Sequence, residues 1–179
     1  ITTLPALGTL TNNNVAVNAG DFIPVASITG GLLKFTPVAN EFGTPYTSFT
    51  FQVQDNGGGT TDLDPTPNTM TINVTAVNDP PSFTIAADPP ASNEDGGPQT
   101  VPNFATAISA GPNEVGQTLT FNISPVSSTG TLAFSSGPAI DATTGTLTYT
   151  ATADTNGTAT FSVTLSDNGS NTPPNSNTS

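Results

Sequence analysis

Wherever the chain shows a pattern, apolar and polar residues alternate. In Leu33-Lys34-Phe35-Thr36, Phe49-Thr50-Phe51-Gln52-Val53-Gln54 and Met70-Thr71-Ile72-Asn73-Val74-Thr75-Ala76-Val77, large apolar side chains fall on one face and Thr, Gln, Asn or Lys on the other. That period of two is the signature of a half-buried strand. It returns in Leu119-Thr120-Phe121-Asn122-Ile123, Leu147-Thr148-Tyr149-Thr150 and Phe161-Ser162-Val163-Thr164-Leu165. No stretch carries the helical period of about 3.6. Clusters of Gly, Pro, Asn and Asp lie between the runs and supply turn chemistry. The pattern predicts an all-β chain. Its inward set holds Leu10, Leu33, Phe35, Phe49, Phe51, Val53, Ile72 and Val74 in the first half. Leu119, Phe121, Ile123, Leu147, Tyr149, Phe161, Val163 and Leu165 follow in the second.

An internal repeat sets the organisation. Gly31-Leu32-Leu33-Lys34-Phe35-Thr36 aligns with Gly145-Thr146-Leu147-Thr148-Tyr149-Thr150, and Asn40-Glu41-Phe42-Gly43-Thr44 with Asp154-Thr155-Asn156-Gly157-Thr158. After a two-residue gap, Phe49 through Asp55-Asn56-Gly57 aligns with Phe161 through Asp167-Asn168-Gly169, so the offset falls from 114 to 112 residues. Either offset exceeds half of 179 residues, so neither copy is complete: the first lacks opening strands and the second a closing strand. The boundary falls at Val77-Asn78-Asp79-Pro80-Pro81, where two prolines make a stiff, extended joint. The expected modules span residues 1–79 and 80–179.

Composition removes most chemistry. The chain has 13 Asp plus Glu against one basic residue, Lys34, for a net charge of -12, with no His, Cys or Trp. Nucleic acid and anionic membranes are excluded as electrostatic partners. Ser-His and Cys-His nucleophile pairs, thiolate or imidazole zinc sites and disulfides are excluded as well. The chain is therefore expected not to be an enzyme. No apolar run approaches the roughly 20 residues needed to cross a bilayer, so membrane insertion is not expected. The first residues, Ile1-Thr2-Thr3-Leu4-Pro5, do not read as a signal peptide, and a start without Met points to a piece of a longer polypeptide. A Thr-rich chain nearly free of Lys and Arg suits an extracellular protein.

The residues resemble a known family, the cadherin-like and immunoglobulin-like tandem repeats of very large bacterial surface adhesins. The resemblance is carried by Leu7-Gly8-Thr9-Leu10-Thr11 with Gly31-Leu32-Leu33-Lys34-Phe35-Thr36-Pro37, by Phe49-Thr50-Phe51-Gln52-Val53-Gln54-Asp55, and by the joint Val77-Asn78-Asp79-Pro80-Pro81. Asn93-Glu94-Asp95 and Gly111-Pro112-Asn113-Glu114 complete it. It implies tandem β-sandwich modules, secreted or on the cell surface and often calcium-stabilised, used as stalks, filaments or adhesive surfaces.

The acids sit mainly in turns beside Asn and Gly, a supply of the hard oxygen ligands that Ca2+ takes in sets of six to eight. By resemblance, Asp55 is the strand-end acid of a junctional calcium site, Asn78 and Asp79 are its linker ligands, and Asn113 with Glu114 forms the loop of the next domain. Glu94 and Asp95 resemble the acids near a domain start and are expected to pair with Asp167 at the far end of the second module. The linker holds one acid, Asp79, fewer than cadherins usually place there. Asp62-Leu63-Asp64-Pro65 opens like an EF-hand but lacks its Gly and closing Glu.

These readings converge on a non-catalytic structural or adhesive repeat unit of a large surface protein or fibre. Its expected partners are other copies or neighbouring repeats, met end to end, with Ile1-Thr2-Thr3-Leu4 of a neighbour as one candidate to supply a missing strand. The alternative is a module that itself binds a surface glycan or host protein, for which Phe22, Phe42 and Tyr46 are the aromatics not assigned to the core.

Overall fold

The computed structural model describes residues 1–57 and 62–179. Strand accounts for 41% of the described residues and helix for 3%, so the fold class follows the period of two. The chain divides into two compact units, Ile1–Ala76 and Val77–Ser179. Asn78 and Asp79 thereby belong to the second unit and do not end the first. The physical reason is their hydrogen bonding, which runs to Glu114, Gln117, Asp167, Asn175 and Ser176.

In the first unit, β1 (Thr9–Asn12) and β2 (Val15–Ala16) form a tight hairpin. A single helical turn, α1 (Val25–Thr29), leads to β3 (Leu33–Thr36), which pairs antiparallel with β1 through Leu10↔Phe35. Next, β4 (Gly43–Phe51) pairs antiparallel with β5 (Asn68–Val74) through Thr47↔Ile72 and Phe49↔Met70. The two sheets share one core of Leu10, Val17 and Phe49, flanked by Ile1, Leu33, Phe35, Phe51 and Ile72. Ile1 is thus spoken for within its own unit. Its ammonium donates to the Asp21 carbonyl at 2.8 Å, and Thr3 bridges Thr50 of β4.

In the second unit, β6 (Ser82–Ile85) pairs with β8 (Ala105–Ser109). Between them lies β7 (Pro98–Val101), which pairs with β11 (Leu147–Ala151). β9 (Thr120–Ser128) pairs with β12 (Ala159–Ser166), and β10 (Phe134–Ile140) with the other edge of β11. These sheets enclose Ala105, Ile140 and Leu147, flanked by Phe83, Val101, Phe121, Ile123, Tyr149 and Val163. Phe83 and Phe121 meet edge to face, centroids 5.1 Å apart, a geometry that aligns ring edge with ring face.

The predicted inward set is corrected at one position. Val53 is 59% exposed: β4 ends at Phe51, and beyond it the chain keeps only an isolated bridge to residues 62–64, with no packing over the Val53 side chain. Tyr46 joins the buried residues, its hydroxyl donating to Glu41 at 2.9 Å, whereas Phe22 and Phe42 are exposed. Among the described residues no helix is long and apolar enough to cross a membrane.

Candidate functional site

Four of the residues singled out by sequence, Asn78, Asp79, Glu114 and Asp167, come together in the second unit. Asp167 follows β12 directly, and its Oδ1 accepts from the Gly169 amide at 2.7 Å, the Asx turn that an Asp-Asn-Gly sequence favours. The same oxygen accepts from Asn78 Nδ2 at 3.2 Å. Nδ2 also donates to the Ser176 carbonyl at 2.6 Å, and Asn78 Oδ1 accepts from Gln117 Nε2 at 2.6 Å. On the main chain, the Asn78 amide donates to Asn175 Oδ1 at 2.7 Å and its carbonyl accepts from Ser176 N at 3.0 Å. One residue on, the Asp79 amide donates to Glu114 Oε1 at 2.8 Å. Gly169 lies so close that a Cβ there would collide with the Asn78 carboxamide.

The segment leading into the second unit is therefore clasped by three loops, around residues 114–117, 167–169 and 175–176. Asn78 and Asp167 are 8% and 7% exposed, so their bonds are shielded from competing water. The clasp also holds three buried oxygens with no hydrogen-bond partner: Asp167 Oδ2, Glu114 Oε2 and Gln117 Oε1. Leaving a buried carboxylate oxygen unpartnered is costly. Residues 77–179 contain no Lys, Arg or His, so no side-chain cation of this unit compensates them.

Those orphan oxygens fit a hard cation in donor chemistry, since Ca2+ takes carboxylate and amide oxygens without nitrogen or sulfur. They do not form a finished carboxylate cage. Among the described residues no group of three or more acidic side chains is placed to hold a metal ion.

The remaining predicted ligands lie elsewhere. Asp55, in the first unit, is exposed and closes its own turn, Oδ1 accepting from Gly57 N at 2.8 Å. Glu94 and Asp95 are exposed, and Asp95 Oδ1 accepts from the Asp154 amide at 3.3 Å. Asp167 meets Asn78 instead of that segment. Asn113 holds the left-handed conformation, φ 60°, in the turn before Glu114. Sequence reasoning missed Gln117, Asn175 and Ser176, which carry no charge to mark them. The one signal was the nearness of Gln117 to Glu114.

The second unit also contains a cavity of about 750 Å3 walled by Phe104, Phe134, Ile140, Leu147, Tyr149 and Phe161. Phe134 packs edge to face on both Tyr149 and Phe161. No family model matches the chain, and neither the curated proteins nor the solved structures give a match.

Proposed function

We propose that this chain is a non-catalytic structural repeat of a large extracellular surface protein or fibre, built of two β-sandwich modules and joined end to end to its neighbours. The observation that carries the reading is the clasp on Asn78 and Asp79. The segment through which the chain enters the second unit is tied by one buried and two partly buried hydrogen bonds to residues 167–176 of that unit. A module that transmits load needs its point of attachment fixed to its body, and this arrangement supplies that.

Calcium is the proposed stabiliser of the clasp, held by Asp167, Glu114 and Gln117 with Asp79 alongside. It would neutralise carboxylates that repel one another in a chain of net charge -12 and act by linkage, raising the stability of the folded state that binds it. The test is thermal unfolding in calcium and in EDTA for the wild-type chain and for Asp167→Asn. The expected result is a melting temperature that rises with calcium in the wild type and not in the variant. Identical curves with and without the ion would remove calcium from the reading.

A binding role has one observation in its favour, the exposure of Phe22 and Phe42 at 68% and 53%. Exposed rings are what a sugar-stacking surface needs. A glycan array with Phe22→Ala and Phe42→Ala as controls separates this reading from a purely architectural one.

A further inference from the structure

We infer that the turn Asp55-Asn56-Gly57 is a self-modifying site. The Gly57 nitrogen closes on the Asn56 carboxamide to form a succinimide, and the Asp55 carboxylate takes the proton that this nitrogen gives up.

Asparagine precedes glycine at Asn56, Asn156 and Asn168. With no side chain on the following residue its nitrogen is open to approach, so the sequence makes the three pairs equal. The fold separates them. Asn168 Oδ1 accepts from the Thr118 amide at 2.9 Å, and a Cβ on Gly169 would collide with the Asn78 carboxamide, so both reacting partners are pinned. Asn156 is pinned by Thr131, whose Oγ1 accepts from the Asn156 amide at 3.2 Å and donates to its Oδ1 at 3.3 Å. Gly157 in turn abuts the Thr129 carbonyl. Asn56 is exposed, and no hydrogen bond among the described residues holds its carboxamide.

The base is already on the nucleophile. Asp55 is fixed on its main chain, its amide donating to the Asp62 carbonyl at 3.0 Å beside the Gln54–Leu63 bridge. From there Asp55 Oδ1 accepts from the Gly57 N–H at 2.8 Å, within the reach a general base needs. Asp167 makes the matching bond to Gly169 at 2.7 Å, but shares that oxygen with Asn78 and faces a carboxamide tied to Thr118. Of the three pairs, Asn56-Gly57 alone joins a carboxylate on the attacking nitrogen to an unrestrained carboxamide.

In the step itself the bond from Gly57 N to Asn56 Cγ forms as the proton passes to Asp55. The Cγ–Nδ2 bond then breaks, the proton passes from Asp55 to the departing nitrogen, and ammonia leaves. Water opens the ring at either carbonyl, giving an aspartate or an isoaspartate at position 56. Both products place a new carboxylate beside Asp55, just past the end of β4.

Base assistance of this kind exists only in the folded turn, which separates it from the reactivity of the bare dipeptide. The test incubates the chain at neutral pH, folded and unfolded in urea, and follows peptic peptides by mass spectrometry for loss of ammonia and then gain of water. Asn56 should react about tenfold or more faster in the folded chain than in the unfolded one, and Asn156 and Asn168 more slowly. Asp55→Ser keeps a hydroxyl that can close the turn but removes the base. With its fold verified by circular dichroism, its ratio of folded to unfolded rate at Asn56 should drop to about one or below. A wild-type Asn56 that reacts no faster folded than unfolded overturns the site. A ratio that survives Asp55→Ser overturns Asp55 as the base.

Discussion

Several positions that match between the two copies share their backbone and differ in what surrounds them. Gly31 and Gly145 have φ of 67° and 65°, yet a Cβ on Gly31 would meet open space and one on Gly145 would run into the Ala105 carbonyl of β8. Val53 is 59% exposed and its counterpart Leu165 is 0% exposed. Asp55 and Asp167 close the same turn onto Gly57 and Gly169 at 2.8 and 2.7 Å, but only Asp167 is buried, against Asn78. The repeated sequence therefore encodes local geometry. Burial comes from residues particular to the second unit: β8 behind Gly145, the segment around Asn78, and Ser179 bonded to both backbone groups of Leu165.

The sharpest way to break that comparison is at the paired glycines. Gly31→Ala should cost only the left-handed strain of an L-residue, about 1–2 kcal/mol. Gly145→Ala adds a collision with backbone that cannot rotate away, and should exceed about 4 kcal/mol, the exceptional end of single substitutions. Urea unfolding of both variants reads the difference; equal losses would mean that Gly145 is not held against β8.

A smaller gap is expected at the matched apolar pair. Leu165→Ala empties a fully enclosed site and should cost about 2–5 kcal/mol, whereas Val53→Ala on an exposed strand end should stay within about 0.5 kcal/mol. Loss of the Asp167 side chain strands the Gly169 amide and one bond of the Asn78 carboxamide. Asp167→Ala should therefore cost about 1–3 kcal/mol, against a near-neutral Asp55→Ala. If the two aspartates respond alike, the clasp contributes nothing beyond the Asx turn.

The same contrast explains what was readable from sequence. Alternation marked β3, β4, β5, β9, β11 and β12, because each carries large apolar residues on one face. It passed over β7, β8 and β10. Pro98-Gln99-Thr100-Val101 is four residues long with a proline, and Ala107 in β8 has φ 50°, which interrupts regular pairing. Phe134-Ser135-Ser136-Gly137-Pro138-Ala139-Ile140 changes register twice against β11, and bulges of that kind erase a period of two. Alternation misplaces Val53 because the period of two continues past Phe51, where nothing packs over the side chain. At the site, acids beside Asn and Gly could be named as oxygen donors. That Asp167 would meet Asn78, 89 residues away, depends on the closing of the unit, which no local pattern records.

The smallest expected effects are at the two ends of the pH scale, one in each unit. Asp141 in the second unit is held below the ordinary aspartate value of 3.8, first by the Thr144 amide, then by the Thr144 hydroxyl and the Thr143 amide. A carboxyl depressed in the folded state contributes stability that is complete above 3.8 and is lost as pH falls through its lower folded value. Tyr46 in the first unit is shifted the other way. Burial raises it above 10.0, the bond and negative charge of Glu41 add to the rise, and the Val38 amide opposes it. Its contribution is complete below 10.0 and is lost as pH climbs through the raised folded value. Acid should thus weaken the second unit through Asp141, and alkali the first through Tyr46. Asp141→Asn should flatten the acid limb alone and Tyr46→Phe the alkaline limb alone, with unit-resolved amide signals followed by NMR across the titration. A single limb that responds to both substitutions would show that the two units do not unfold as separate bodies.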